Sequence, residues 1–408
     1  MIFDSIEAPI PALRQDVDLI PFEENGEQLV ILRDPSGYGS EMLVFKPEVW
    51  GLLSLFDGFT SVKDIQQEIF KSTMVGITAE QILEIIRTLD QHFFLQSDRF
   101  ARHRREEDER FTNETVRHCV HAGASYPEEP DELKAFMDGL FLRDQTEIPD
   151  KAPIGVICPH IDLRVGPSVY VPAFKALKKA DFDTVIVLGT SHYSNDDLFI
   201  LSHKQYRTEL GALETDLELY NAFHEATGGQ FTKIDTAHRQ EHSIEFPVLF
   251  LNHLYDSGVK VLPILATSLE SCIQENEQPM TVEKYRAFIE GMNKAVAKLG
   301  RKVAYVLSID WSHIGIKFGD EEPAVNMLSN VRQSDYAQIE ALERVDWEAF
   351  HSMLHANLNE TKIDGYACIS AFFDLVNPAS GKLFKYEQWH EEERDSAVTY
   401  ASMGFYKD

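Results

Sequence analysis

The sequence predicts an α/β layered domain, with a central largely parallel or mixed sheet flanked by helices, preceded by a small winged-helix-like α+β domain. Three observations predict it. After residue 115, short and nearly continuous apolar runs alternate with helical stretches, as expected of strands covered by helices on both faces. The first 98 residues hold only short strand-like and helical segments. Between the two lies RFARHRREEDERFTNET, residues 99–115, almost purely polar and charged. It reads as a solvated helix or linker. The expected division is therefore 1–98, a charged linker 99–115, and 116–408.

In the first part, Gln28–Leu32 (QLVIL) and Met42–Phe45 (MLVF) read as strands joined by a turn at DPSGYGS. Pro47 opens a helical segment, PEVWGLLSLFDG, with Trp50, Leu53 and Leu55 on one face and Gly58 as a stop. Thr60 or Ser61 can cap the next helix, SVKDIQQEIFKS. Thr78 can cap a third, in which Ile82, Ile85, Ile86 and Leu89 form an apolar stripe. In the second part, Ile154–Cys158, Thr184–Leu188, Val259–Leu265 and Val303–Ile309 read as buried strands. Leu383–Trp389 and Ala397–Phe405 complete or extend the sheet.

Composition excludes several classes of function. The 408 residues are 44% hydrophobic and 26% charged, an ordinary globular balance with ample length for a large core. A net charge of −29 disfavours nucleic acid or an anionic membrane as the main partner. The four cysteines, Cys119, Cys158, Cys272 and Cys368, are far apart. That argues against a disulfide framework or a cysteine-built zinc site; Cys158 is expected to be packed and Cys272 exposed. The N-terminal stretch lacks the basic start and apolar run of a signal peptide, and no stretch of apolar residues is long enough to span a bilayer. The expectation is a soluble cytoplasmic protein.

Three of the predicted strands end in residues able to bind metal. IGVIC leads into Pro159-His160, TVIVL into Gly189-Thr190-Ser191-His192, and VAYVLSI into Asp310-Trp311-Ser312-His313. Ligands gather at the carboxyl ends of strands in open α/β sheets. Each residue alone has a plainer reading: a lone histidine is commonly a hydrogen-bonded structural residue, and Asp310 could cap a helix. The convergence carries the argument, and imidazole with carboxylate suits iron, copper, zinc or manganese. A further block, Arg239 to Glu245, runs into an apolar segment in which Pro247 is tolerable only near the first helical turn. That places His242 and Glu245 at a helix entrance, either as capping groups or facing a site.

Five stretches, HAGASYPEEPDELKAFMDGLF, PHIDLRVGPSVYVPAF, LGTSHYS, EHSIEFPVLFL and SIDWSHIG, in this order, resemble the Memo-like proteins. The resemblance runs from near His121 to the C-terminus. It implies kinship in fold with class III extradiol dioxygenases, which use non-haem Fe(II), and possible partnership with radical-SAM and AMMECR-type proteins in a three-gene AmmeMemoRadiSam system. By the same resemblance His160 and His192 match two metal ligands, Asp310 and His313 a pocket acid/base pair, and His242 another pocket histidine. At the third ligand, animal members have Ile-Cys-Gly where this chain has Ile363-Asp364-Gly365. Asp364 is the expected ligand, with Cys368 the lesser candidate and a plain Asp-Gly turn the alternative. Two histidines and one carboxylate suit Fe(II), whereas a thiolate favours softer metals such as Cu(I); copper or zinc stay open. The run WGLLSLFDGFTSVKDIQQEI resembles PqqD-like peptide-recognition domains, and the resemblance extends over about 70 residues of the first part.

The resulting expectation is a metal-dependent oxygenase or oxidase acting on a small phenolic, enediol or peptide-borne substrate. In it, His313, oriented by Asp310, moves a proton and His242 hydrogen-bonds the substrate. Glu245 and Asp162 are candidates for fixing the imidazole tautomers, and Trp311 for walling the pocket. A metal-dependent hydrolase and a metal- or peptide-binding module without turnover are the alternatives.

Overall fold

The computed structural model describes residues 5–39, 42–256 and 258–408. Ser40, which ends the expected DPSGYGS turn, and the first four residues of the N-terminal stretch lie outside them. The chain forms two compact units, Met1–Asn113 and Glu114–Asp408.

The first unit begins with an antiparallel sheet of β1 (Asp18–Glu24), β2 (Glu27–Arg33) and β3 (Leu43–Phe45), in that order. β1 has no counterpart in the sequence reading because Pro21 interrupts its apolar run. As an edge strand, β1 tolerates the missing donor. Helices α1 (Glu48–Leu53), α2 (Val62–Thr73), α3 (Ala79–Gln91) and α4 (Asp98–Asn113) follow. α1 is shorter than its pattern promised. It buries Leu52 and Leu53, whereas Trp50 is 44% exposed and is not on the core face. Ser61, not Thr60, caps α2 in a reciprocal box with Asp64, and Thr78 forms the same box with Gln81 on α3. Ile82, Ile86 and Leu89 reach the core, while Ile85 is half-buried. The charged run 99–115 is helical up to Asn113, with Phe100 and Phe111 buried. Fully buried Arg14 pairs with Asp16 and Asp34 and lies 4.3 Å from the Phe100 ring centre.

The second unit contains β4 (Val116–His118), α5 (Pro130–Arg143), β5 (Gly155–Cys158), α6 (Pro167–Leu177), β6 (Thr184–Thr190), β7 (Phe199–Leu201), β8 (Gln205–Thr208) and β9 (Gly211–Leu213). It continues with α7 (Leu217–Ala226), α8 (His242–Tyr255), β10 (Lys260–Ala266), α9 (Glu270–Glu275), α10 (Glu283–Leu299), β11 (Val303–Ser308) and β12 (His313–Gly315). It ends with α11 (Ala324–Glu343), α12 (Trp347–Ala356), α13 (Tyr366–Val376), β13 (Ser380–Glu391) and β14 (Ser396–Tyr406). An eight-stranded mixed sheet runs β12-β14-β5-β11-β6-β10-β7, with β13 also paired to β14. Its centre, β5, β11, β6 and β10, is parallel.

Alternate residues of the central strands feed two cores. Ile186, Leu188, Ile264 and Leu307 meet apolar residues of α7, α10 and α13 on one face. Val185, Val187, Leu265 and Val306 meet those of α5, α6 and α8 on the other. That double coverage is why these strands read as unbroken apolar runs. Every residue of β14, which pairs with β13 along one edge and with β5 and β12 along the other, is buried. Cys158 is packed as expected; Cys272, expected at the surface, is 2% exposed because α9 turns it into the core.

A short turn, Thr236–His238, leads to α8. The His238 ring is fully buried. Its Nε2–H donates to the Ile200 carbonyl at 2.9 Å, and its Nδ1 accepts from the Tyr206 hydroxyl at 2.8 Å. Both nitrogens are satisfied in the neutral form.

Two predictions follow from these elements. Ser61→Ala and Thr78→Ala should each destabilise the first unit by about 1 kcal/mol in chemical unfolding, whereas Thr60→Ala should stay within about 0.5 kcal/mol. Burial, against the pull of Asp235, lowers the His238 pKa from 6.5 to about 4. Below pH 6.5 the unfolded chain therefore takes up a proton that the folded chain refuses. The His238 contribution, about 3 kcal/mol, is complete above pH 6.5 and is lost as the pH falls toward 4. Urea unfolding of wild type and His238→Asn across this window should show a flatter pH slope in the variant.

Candidate metal centre

The loops at the carboxyl ends of β5, β6 and β11 meet the entrance of α8 and the turn before α13. His160 follows β5 by two residues and His192 follows β6 by two. Asp310 follows β11, His242 opens α8, and Asp364 precedes α13. The ligand atoms of His160, His192 and His242 lie within 4.8 Å of one another. Their ring centres are 4.7 to 5.2 Å apart. His160 is buried, while the side chains of His192 and His242 are 30% and 24% exposed, so solvent reaches the cluster from one side.

Hydrogen bonds fix the imidazoles. His160 Nδ1–H donates to the Ser308 carbonyl at 3.1 Å, which turns Nε2 toward the cluster. His192 Nδ1–H donates to Glu241 Oε1 at 2.9 Å, and its backbone N–H donates to Glu241 Oε2 at 2.8 Å. His242 Nδ1 lies 3.3 Å from the same Oε1. Burial disfavours charge on Glu241, but His192 and His242 outweigh it and hold its pKa well below the ordinary carboxylate range. Desolvation, opposed by Glu241, brings His242 down to about 4, so its ring is neutral at pH 7.

Asp364 Oδ1 accepts the Asp310 backbone N–H at 3.2 Å. Its Oδ2 is buried, pairs with His160 Nε2 at 3.0 Å and lies 3.8 Å from His192 Nε2. A buried carboxylate oxygen and two imidazole nitrogens whose other nitrogens are already engaged form a donor set able to hold a divalent metal ion. The chemistry of these groups therefore fits a metal. Burial works against charging His160, but Asp310 and Asp364 prevail and raise its pKa to about 10. Gly365 allows the approach of this turn to the sheet, since a Cβ there would lie 2.5 Å from Ile309 Cδ1.

Asp310 Oδ1 accepts the backbone N–H groups of His160 and Ile161, and Oδ2 lies 3.6 Å from His160 Nε2. Its hydrogen bonds thus serve the His160 turn. The His313 ring is held instead by carbonyls: Nδ1 is 3.1 Å from both the Trp311 and Lys362 oxygens, so it carries the proton and Nε2 keeps a lone pair. Cys368 is fully buried in α13, and burial pushes its thiol pKa up. No cysteine sulfur joins the cluster among the described residues. Glu245 bonds Arg117, the Tyr126 hydroxyl and two backbone N–H groups, and Asp162 bonds Arg164 and Ser125. Neither touches an imidazole of the cluster; the Ser308 carbonyl and Glu241 take the role expected of them. Trp311 is fully buried in the core and does not wall a pocket. Arg164 is exposed and paired with Asp162.

Behind the entrance of α8, buried Arg117 donates to the carbonyls of His238 and Glu241 at 3.1 and 3.0 Å and pairs with Glu245. Sequence reasoning missed Glu241 and Arg117. A glutamate directly before a helix-opening histidine was the available signal for the first.

The family model described as Memo-like protein matches residues 117–404. A MEMO1 family protein of Aquifex aeolicus is 33% identical over 402 residues, covering 95% of this chain and 98% of the relative. A MEMO1 family protein of Thermus thermophilus is 24% identical over 339 residues, 83% of this chain and 97% of its own. One from Methanosarcina barkeri is 29% identical over 291 residues, 69% of this chain and 97% of its own. Among the described residues, no helix is long and apolar enough to cross a membrane.

Glu241→Gln keeps the shape of the acceptor but removes the charge that orders His192. Titration with a competing chelator should show zinc or ferrous affinity falling about 10- to 100-fold. An unchanged affinity would mean that His192 is not held for a metal.

Proposed function

The chain belongs to the Memo-like protein family, and from that premise we propose that its second unit is a non-haem metal oxidoreductase, an oxygenase or oxidase. His160, His192 and Asp364 would hold one ferrous ion. The single observation that supports this is the buried Asp364 Oδ2, which faces His160 Nε2 at 3.0 Å and His192 Nε2 at 3.8 Å. Two histidines and one carboxylate with open positions are the ligand type of oxygen-activating Fe(II) sites. When bound, a ferrous ion supplies redox capacity toward dioxygen and an anchor for a phenolic or enediol oxygen.

The chain's own residues do the rest. His313, with Nδ1–H pinned on two carbonyls, offers the Nε2 lone pair as general base for a substrate hydroxyl. Neutral His242 presents its ring at the partly exposed side and is placed to hydrogen-bond a substrate oxygen. Glu241 holds the rings of both His192 and His242, so the cluster needs little rearrangement on loading.

The three-imidazole grouping favours a second reading. His160, His192 and His242 would bind zinc, and Asp364 would act as base in a metal-dependent hydrolase.

The two readings separate on Asp364→Ala, measured by metal analysis after anaerobic purification and reconstitution. The oxygenase reading expects ferrous binding weakened by at least about 10-fold; full retention of metal with loss of activity favours the hydrolase. His313→Ala should keep its metal and lose about 10²–10⁴-fold in oxygen uptake with catechol substrates. Equal uptake in wild type and variant removes His313 from the chemistry.

A further inference from the structure

The first unit carries an apolar groove that the metal centre does not explain. It is a cavity of about 640 Å³ between α1, α2 and α3. Leu52, Leu55, Ile69, Ile77 and Ile85 supply its apolar walls, and Val75, 65% exposed, stands at its edge. Phe70 and Met74, on and just after α2, are also exposed at 51% and 74%. An open apolar groove with further exposed apolar side chains on the same helix marks an interaction site more often than an accident of folding. Two carboxylates line the groove, Glu48 from α1 and Glu68 from α2, and no basic side chain does.

We propose that this groove binds an amphipathic basic helix of a partner protein. The helix would set apolar residues spaced i, i+3/i+4, i+7 between the three helices and lay lysine or arginine against Glu48 and Glu68. Charge selects this occupant. Residues 48–91 contain seven acidic and three basic side chains, and the whole chain stands at −29. A second copy of the chain or an anionic membrane would bring like charge to an acidic rim, whereas a basic helix brings the opposite. Glu68 is engaged only in an exposed contact with Lys71 at 3.4 Å, and an incoming cation displaces such a contact at small cost.

The test uses the full chain and three synthetic 18-residue peptides: a leucine–lysine amphipathic helix, the same pattern with glutamate for lysine, and a scrambled leucine–lysine sequence. Trp50, 44% exposed on α1 beside the groove, is the fluorescence reporter, with calorimetry as the second measurement. The patterned basic peptide should bind at least about 10-fold more tightly than either control. Glu48→Lys together with Glu68→Lys changes only exposed side chains and should reverse the preference between the two charged patterns. Ile69→Gln should weaken the basic peptide by about 10-fold. The proposal is overturned if the scrambled peptide binds equally well or the charge-reversed protein keeps the wild-type preference. It is also overturned if sedimentation shows a self-associated species that Ile69→Gln dissociates.

Discussion

The second unit is arranged around one buried carboxylate. Glu241 receives the backbone and ring N–H groups of His192 and the backbone N–H of Ser243, and it lies against the ring of His242. An unpaired carboxylate in such a place would be costly. Here the first turn of α8 and two imidazoles stabilise the negative charge. In return the charge decides which nitrogen of His192 holds the proton, and so which one faces the cluster. The arrangement of the other donors matters only because this choice is already made.

A cation secures the same helix entrance from behind. Arg117, on the short strand β4, reaches two carbonyls just before α8, those of His238 and Glu241, and Glu245, one turn into α8, neutralises it. Removing either partner would leave a buried charge alone, which is far more destabilising than losing a surface pair. The polar block before α8 thus serves two purposes. Glu241 and His242 face the cluster, whereas Glu245 faces the support.

The sheet was legible in the sequence because its central strands are covered on both faces, and burial on both faces leaves an unbroken apolar run. β1 was not legible, since an edge strand can carry Pro21 and such a residue argues against a strand. Trp50 misled for another reason: helical spacing identifies a shared face, but α1 ends at Leu53 and its buried side is set by Leu52 and Leu53. At the site, the histidines and Asp364 could be named because strand ends and motif blocks mark them. Their orienting partners could not all be named. His160 and His313 are held by carbonyl oxygens of Ser308, Trp311 and Lys362, and a backbone carbonyl leaves no trace in residue type. Glu245 was the wrong acidic residue of its block because Arg117, the Tyr126 hydroxyl and two backbone N–H groups already occupy its carboxylate.

The position of β14 bears on how the chain reaches this state. It is the last strand of the sheet in chain order, yet it sits inside, bonded to β13 along one edge and to β5 and β12 along the other. A nascent chain that has already made every imidazole of the cluster still lacks the strip that joins β5 to the His313 strand. Until residues 396–406 have been made, the edge of β5 is bare and the sheet of the second unit is incomplete.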